Sequence, residues 1–172
     1  MGVNFSNGGE QTARSNVMQV KYTTYDHINF SGRGYHDVVT LAITPYFSDS
    51  RIICTINCVT SCRQGHAGQG RILKSVGGGG YGLINYSTDG SRAQGHGGEE
   101  GTSSDGGMAF MIHIWDHPNT TSSVTYKYQI GFESDNSSQR VGTSSRNYSN
   151  QGGYGYPGTF RQGFTLMEVA NA

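Results

Sequence analysis

The chain has 172 residues, of which 12 are basic and 12 acidic, so its formal net charge is +0. This length suits one domain with one hydrophobic core, and the balanced charge offers no basic surface for nucleic acid. Hydrophobic residues make up only 34% of the chain, and no apolar run approaches the roughly 20 residues of a membrane-spanning helix, so we expect no membrane insertion.

The N-terminal segment is polar and contains glycine, and it has no apolar signal-peptide core. We therefore expect residues 1–16 to form a flexible N-terminal arm or anchor. We also expect the protein to be synthesised in a cytoplasm and to remain there until assembly. Residues 17–172 are expected to form a β-sandwich domain.

Alternation of apolar and polar residues predicts a series of strands in the first half of this domain. In the strand 37–44, Val39, Leu41 and Ile43 should face inward, and Pro45 should end the strand. The strands predicted up to residue 86 are 17–23, 27–30, 37–44, 51–61, 71–76 and 81–86.

Three cysteines, Cys54, Cys58 and Cys62, are spaced four residues apart around the predicted strand 51–61. On a strand they share one face, but neighbours are about 13 Å apart. That distance is too long for a disulfide or a shared metal ion. We interpret them as small buried hydrophobic side chains of a reduced protein.

The clearest strand signals lie within 107–133. Residues 108–115 are apolar on both faces apart from His113, which predicts a central strand covered on both sides. Residues 124–133 alternate almost without fault, which predicts a strand with one solvent-facing side. The polar turn between them predicts a hairpin, unless the turn crosses between sheets and other strands intervene.

The rest of the chain is rich in loops. We expect long glycine-rich loops at 88–106 and 134–158, a short strand near 140–143 and a last strand within 159–169. Irregularly spaced strands without helical periodicity predict an all-β fold, an antiparallel two-sheet sandwich that is jelly-roll-like. The long loops would be stable if they clustered at one end or packed against a neighbouring copy.

Patterns for catalysis or metal binding are weak. His113 and His117 have the spacing of a helical zinc site, but on a strand their rings do not meet. The acidic residues of 88–106 lack the alternating spacing of a calcium loop. Cys62 is the only thiol near a loop, with Arg63 and His66 close by, but this combination alone does not indicate a catalytic thiol. We therefore predict a protein that is not an enzyme and has no cofactor and no metal.

Tyrosines in segments rich in Gly, Ser and Asn are better candidates for function. Rigid aromatic rings beside adaptable polar residues are typical of recognition surfaces, although such rings also pack over a domain's own glycines. The candidates for an oligomer interface or surface recognition are Tyr81, Tyr86, Tyr148, Tyr154 and Tyr156.

Glu168 stands among apolar neighbours in the last predicted strand. If it faces inward, its carboxylate needs a partner, and we expect an arginine, Arg161 or Arg51, from the same or another subunit. The alternative is a position on the wet face. Glu168 and Arg161 therefore join the candidate interface residues.

Three segments, taken in order, resemble a known family: LAITPYFSDSRIICTINC, WDHPNTTSSVTYKYQIGF and a C-terminal FTLMEVA. Over about residues 37–172 the chain resembles small virion structural domains, of fibre or decoration type, of marine and cyanobacterial tailed bacteriophages. The resemblance implies a jelly-roll sandwich that forms a homotrimer, and it brings no catalytic residue.

The function implied is that of a phage virion structural protein: a capsid decoration, head-fibre or tail accessory subunit, located in the virion after assembly in the host cytoplasm. Its expected partners are identical subunits, major capsid or tail proteins, and a host-surface glycan. The alternative is a carbohydrate-binding, lectin-like β-sandwich module whose loop tyrosines stack on sugars.

Overall fold

The fold is known from a computed structural model that describes residues 17–26, 28–61, 67–84, 95–100, 107–132, 139–141 and 161–170. These ranges contain strands and turns and no helix, so the predicted all-β class is confirmed. The strands are β1 (Val17–Tyr25), β2 (Ile28–Phe30), β3 (Gly34–Ile43), β4 (Arg51–Ser61), β5 (Ala67–Val76), β6 (Gly82–Leu83), β7 (Gly97–Glu100), β8 (Gly107–Asp116), β9 (Val124–Phe132), β10 (Gln139–Val141) and β11 (Gln162–Val169).

The strands form two antiparallel sheets. In sheet A, β11 lies between β1 and β4, β8 pairs with the other edge of β4, and the short β10 and β2 extend the sheet at the end of β4. In sheet B the order is β3, β9 and β5, and both β6 and β7 pair with β5. The chain passes repeatedly from one sheet to the other, which is the jelly-roll arrangement that the strand pattern predicted.

The core lies between the inner faces of the two sheets. Every second residue of a strand points inward, so strict alternation in β9 and β4 places one set of side chains in the core. Tyr126 and Tyr128 of β9 are fully buried, and Val39 and Leu41 of β3 pack against the core as predicted. The other fully buried large apolar side chains are Ile43, Ile52, Ile56, Ile72, Val124, Ile130, Phe164 and Leu166, together with Ile112 of β8.

The turn after β8 crosses from sheet A to sheet B. The predicted hairpin of β8 and β9 is therefore wrong, and the alternative of a crossing turn is confirmed. β8 pairs with β4, whereas β9 pairs with β3 and β5. Asn119 in this turn has a φ of 53°, a left-handed conformation that asparagine tolerates well.

β8 is not covered on both sides, which corrects the prediction made from its apolar composition. Among the described strands it pairs only with β4, and one of its faces points outward. Met111 is 64% exposed and Trp115 50% exposed on that face, while Ile112 is buried on the other. Apolar residues on both faces of β8 thus reflect a core on one side and an open apolar surface on the other.

Several predicted segments differ in extent. The strand predicted at 81–86 is the two-residue β6, and the loop predicted at 88–106 contains β7. The arm 1–16 and the loop 134–158, apart from β10, lie outside the described residues. Nowhere in the described ranges is there a helix that is long and apolar enough to cross a bilayer.

Candidate functional site

Of the five tyrosines predicted to lie at an interface or recognition surface, only Tyr81 falls within the described residues. Tyr86, Tyr148, Tyr154 and Tyr156 lie outside the described residues. Tyr81 is exposed just before β6, and the Lys127 ammonium nitrogen lies 4.0 Å from its ring centroid. The ammonium group covers one face of the ring, so a partner cannot stack on that face without displacing it.

The outer face of sheet B, here called the B face, is a network of polar side chains. Asp37 on β3 accepts hydrogen bonds from Lys127 Nζ at 2.8 Å and Gln129 Nε2 at 2.6 Å. Arg71 on β5 donates from Nε to Gln129 Oε1 at 2.8 Å, and its guanidinium lies 3.4 Å from the centroid of the Tyr35 ring. These groups satisfy one another across three strands.

The pKa of Asp37 lies below its ordinary value. Partial burial is the largest single cause and raises the pKa, but the causes that lower it are together stronger, and the hydrogen bonds from Lys127 and Gln129 come first among these. The positive charges of Lys127 and Arg71 lower the pKa further. Asp37 is therefore ionised at neutral pH, and the B face is a charged surface suited to contact with water.

The outer face of sheet A, here called the A face, has the opposite character. Val20 and Tyr22 of β1 and Met111 and Trp115 of β8 are exposed at its two edges. The half-buried apolar side chains of the central strands β4 and β11 are Ile53, Val59, Met167 and Val169. No carboxylate stands among its described strand residues, and Asp26 lies beyond them, at one end of the face. From strand register and alternation, the A face consists of Val20, Tyr22, Thr24, Arg51, Ile53, Thr55, Asn57, Val59, Ala109, Met111, His113, Trp115, Gly163, Thr165, Met167 and Val169.

Trp115 is held in place on the A face. The Arg51 guanidinium lies 5.4 Å from its ring centroid, and His117 meets it edge-on at 5.1 Å between centroids. His113, two residues earlier, points outward, and its Nδ1 lies 3.0 Å from Thr55 Oγ1. The two histidines thus contact different neighbours.

A groove of about 420 Å³ opens at the end of the A face remote from Trp115. Arg161 lies at this groove, and its Nε is 3.7 Å from Asp26 Oδ1 in a solvent-exposed pair. Such a pair contributes little to stability. Other residues at the groove are Asn57, Val59, Ala109 and Met111.

Glu168 is fully buried at the end of β11, and its partners are not arginines. One carboxylate oxygen accepts the backbone N–H groups of Tyr46 at 2.8 Å and Phe47 at 3.4 Å. The other accepts Gln19 Nε2 at 2.6 Å. Pro45 ends β3, which leaves the next amides without strand partners, and the carboxylate takes them up.

The predicted arginine partners of Glu168 lie elsewhere. Arg51 stacks on Trp115, and Arg161 lies by Asp26. The expectation of an arginine partner is therefore wrong for the contacts that the described residues make. A carboxylate that binds turn amides leaves no charge signal in the sequence, so the pattern could not reveal this partner.

A partly buried ion pair joins the two sheets. Lys74 Nζ of β5 lies 2.8 and 2.9 Å from the two oxygens of Asp116, at the end of β8. Tyr126 of β9 donates its hydroxyl to Asp116 at 2.8 Å. Burial, reinforced by the Asp116 charge, raises the pKa of Tyr126 far above its usual range, so the hydroxyl remains a donor.

The cysteines behave as small core residues where the structure describes them. Cys54 and Cys58 are buried on the inner face of β4, as predicted, whereas Cys62 lies outside the described residues. Burial raises the pKa of the Cys54 thiol well above its usual value, so it stays protonated. Among the described residues, no three His, Cys, Asp or Glu side chains lie together as a metal site would require.

No protein-family model matches this sequence, and no curated protein matches it. Among solved structures, the chain is similar to a chain in the structure of infectious bursal disease virus, Gx strain, with a TM-score of 0.44 and 13% sequence identity. The alignment covers 91% of this chain and 38% of the viral chain, so this protein spans well under half of that chain's length. We draw no conclusion about function from a similarity of this size.

Proposed function

We propose that this protein is a structural subunit of a tailed-bacteriophage particle, and not an enzyme. The observation that carries the proposal is the contrast between the two outer faces of the sandwich. The B face is charged and internally hydrogen-bonded, whereas the A face exposes Val20 and Tyr22 on one edge strand and Met111 and Trp115 on the opposite edge strand. The phage assignment rests on the sequence resemblance.

The jelly roll alone does not decide the function, because viral capsid domains, lectins and other proteins share it. The surface is more informative. Exposed apolar side chains on one sheet face, with no charged network among them, favour a site of association, since leaving apolar surface in water is unfavourable. A subunit whose one sheet face is covered by protein, while the other faces water, fits a place in the outer layer of an assembly.

The particle part is a capsid decoration, head-fibre or tail accessory subunit that reaches the virion from the host cytoplasm. Its proposed partners are identical subunits, as a homotrimer, and the major capsid or tail proteins, with the arm 1–16 as the attachment. The loop tyrosines are proposed to face neighbouring subunits or a host-surface glycan.

Mass spectrometry and cryo-electron microscopy of purified particles test this proposal. The chain should be present in a fixed copy number and occupy a defined position on the particle surface. Its absence from purified particles made in cells that express it would refute the structural role.

The carbohydrate-binding alternative finds one supporting observation, the exposed ring of Tyr81 beside the charged B face. A glycan array distinguishes the two functions. Specific binding by the purified protein, lost in Tyr81→Ala, Tyr154→Ala or Tyr156→Ala, would favour the lectin-like module. An array without specific binding favours a purely structural subunit.

A further inference from the structure

We propose that the A face is a two-fold interface between two copies of this chain. The inference rests on the proposed assembly from identical copies, and it identifies the surface and the symmetry of one contact. It draws on the register of four strands, the position of the groove, the distribution of charge and the available area.

Strand register arranges the A face in rows that run across β1, β11, β4 and β8. The middle row consists of Tyr22, Thr165, Thr55 and His113. On one side lies a row of larger apolar residues, Val20, Met167, Ile53 and Trp115. On the other side lies the row Thr24, Gly163, Asn57 and Met111.

A two-fold axis in the plane of the contact, along the middle row, sets these two outer rows against each other. Trp115 of one copy then faces Met111 and the groove of the other copy, and the reverse contact is identical. On β8 the two residues are four positions apart, about 13 Å. The Trp115 ring of one copy thus lies over the groove of the other copy, and the flexible Met111 side chain there can adapt to the ring.

Charge favours a second copy over a charged partner. The described strand positions of the A face carry no carboxylate, and Arg51 at the Trp115 end is their one charged side chain, while the Arg161–Asp26 pair, with no net charge, lies at the groove end. In the two-fold pair the Arg51 side chains lie at opposite ends, about 27 Å apart by strand geometry. That separation exceeds the Debye length of about 8 Å at physiological salt, so repulsion between the two Arg51 charges is screened. Each Arg51 lies instead toward the Arg161–Asp26 pair of the other copy, whose net charge is zero.

The area of the A face is sufficient for a specific contact. Four strands about 4.8 Å apart and nine residues in length cover roughly 500 Å² in projection. A face-to-face pair would therefore bury at least about 1,000 Å², which reaches the range of specific interfaces. Two sheets can pack in this way with their strands nearly aligned, about 10 Å apart.

Trp115 is suited to be the anchor of this contact. Half of its surface is exposed in the single copy, and Arg51 and His117 already hold the ring. An ordered aromatic side chain loses little conformational entropy on binding, and tryptophan is enriched among residues that dominate interface energetics.

Sedimentation equilibrium of the full chain tests the inference with the variants His113→Glu and Trp115→Ser. His113→Glu places two carboxylates face to face near the two-fold axis, and Trp115→Ser removes the anchor. Each variant should raise the dissociation constant of the pair at least about 30-fold. At a protein concentration between the two dissociation constants, the wild type should then have about twice the mass of the variant. If the wild type also forms the proposed trimer, the variants should return a six-copy species to three copies.

The matched control is Thr40→Glu, which adds the same charge at an exposed position of the B face. It should associate as the wild type does. Circular dichroism melting of all three variants separates loss of pairing from loss of folding. Because Trp115 is the one tryptophan of the chain, its emission should also shift to the blue as the wild-type concentration rises.

Three results would overturn the inference: a wild type whose mass is not doubled at any concentration, variants that pair as strongly as the wild type, or a Trp115 already shielded in the single copy. The last result would mean that another segment of the same chain covers the A face. The structural role in a particle is tested separately, by the presence of the chain in purified particles. The proposed function and the proposed interface can therefore fail independently.

Discussion

At the scale of single residues, the buried side chain of Glu168 holds the turn between β3 and β4 in a defined conformation. Glu168 replaces the strand partners that the amides of Tyr46 and Phe47 lose when Pro45 ends β3. Hydrogen bonds to a buried charged group contribute more than neutral ones, and their loss leaves buried polar groups without partners. The carboxylate therefore fixes the turn between β3 and β4 within one chain.

The variant Glu168→Ala should lower the free energy of unfolding by about 2 to 4 kcal/mol, because several hydrogen bonds to the carboxylate are lost at once. Urea denaturation measures the change. Arg161→Ala, at a residue exposed on the surface, should change stability by less than about 0.5 kcal/mol and serves as the control. Equal effects of the two substitutions would contradict the role given to Glu168.

Asp37 makes the stability depend on pH. Its pKa is lower in the folded protein than in the unfolded chain, so its contribution is complete above the unfolded value of about 4 and disappears as the pH falls through the folded value. Asp37→Asn should thus be less stable than the wild type at pH 7, by less than about 1 kcal/mol since the pair is exposed. A deficit that persists undiminished at pH 2.5 in urea titrations would refute this.

At the level of the strands, β5 depends on a glycine to let the sheets approach. A Cβ at Gly70 would lie 2.8 Å from Ile112 Cδ1 of sheet A and 2.9 Å from the Tyr128 hydroxyl oxygen of β9. The close fit between these three residues leaves no space for a methyl group. Close packing of this kind makes even one added carbon unfavourable.

Gly70→Ala should therefore destabilise the protein by about 1 to 3 kcal/mol through overpacking. The matched control is Gly82→Ala in β6, where an added Cβ meets no atom within 4 Å. That substitution should leave stability unchanged or slightly raise it, because alanine restricts the unfolded chain. Thermal unfolding of the two variants side by side is the measurement, and similar melting temperatures would argue against the proposed fit.

For the molecule as a whole, the contact between Lys74, Asp116 and Tyr126 ties sheet A to sheet B. Asp116 is nearly buried, so its charge needs both partners. The carboxylate stands where the chain leaves β8 for the crossing turn. The contact thus links the end of one sheet to two strands of the other.

Asp116→Ala should cost about 3 kcal/mol or more in guanidinium denaturation, since it leaves the Lys74 charge and the Tyr126 hydroxyl without their partner. Asp37→Ala, at an ion pair on the surface, is the comparison and should cost less than about 1 kcal/mol. A cost for Asp116→Ala no greater than that for Asp37→Ala would show that the two sheets are held together by apolar packing alone.

Local alternation was enough to find the strands and the fold class. The predicted strand 51–61 agrees with β4 to the residue, the alternation predicted over 124–133 contains β9, and the inward direction of Cys54, Cys58 and Ile43 was also predicted. This succeeds because the side-chain period of two is a property of each strand's own backbone. The jelly-roll arrangement followed from the number and spacing of such strands.

Partners and exposed surfaces depended on contacts between distant parts of the chain. The apolar side chains of β8 predicted burial on both faces, yet Trp115 and Met111 join Val20 and Tyr22 in an open surface because β1, β11, β4 and β8 are in register. Glu168 likewise found backbone amides that no residue pattern marks. Hydrophobic periodicity states which side of a strand a residue occupies, whereas what lies against that side is set by long-range pairing.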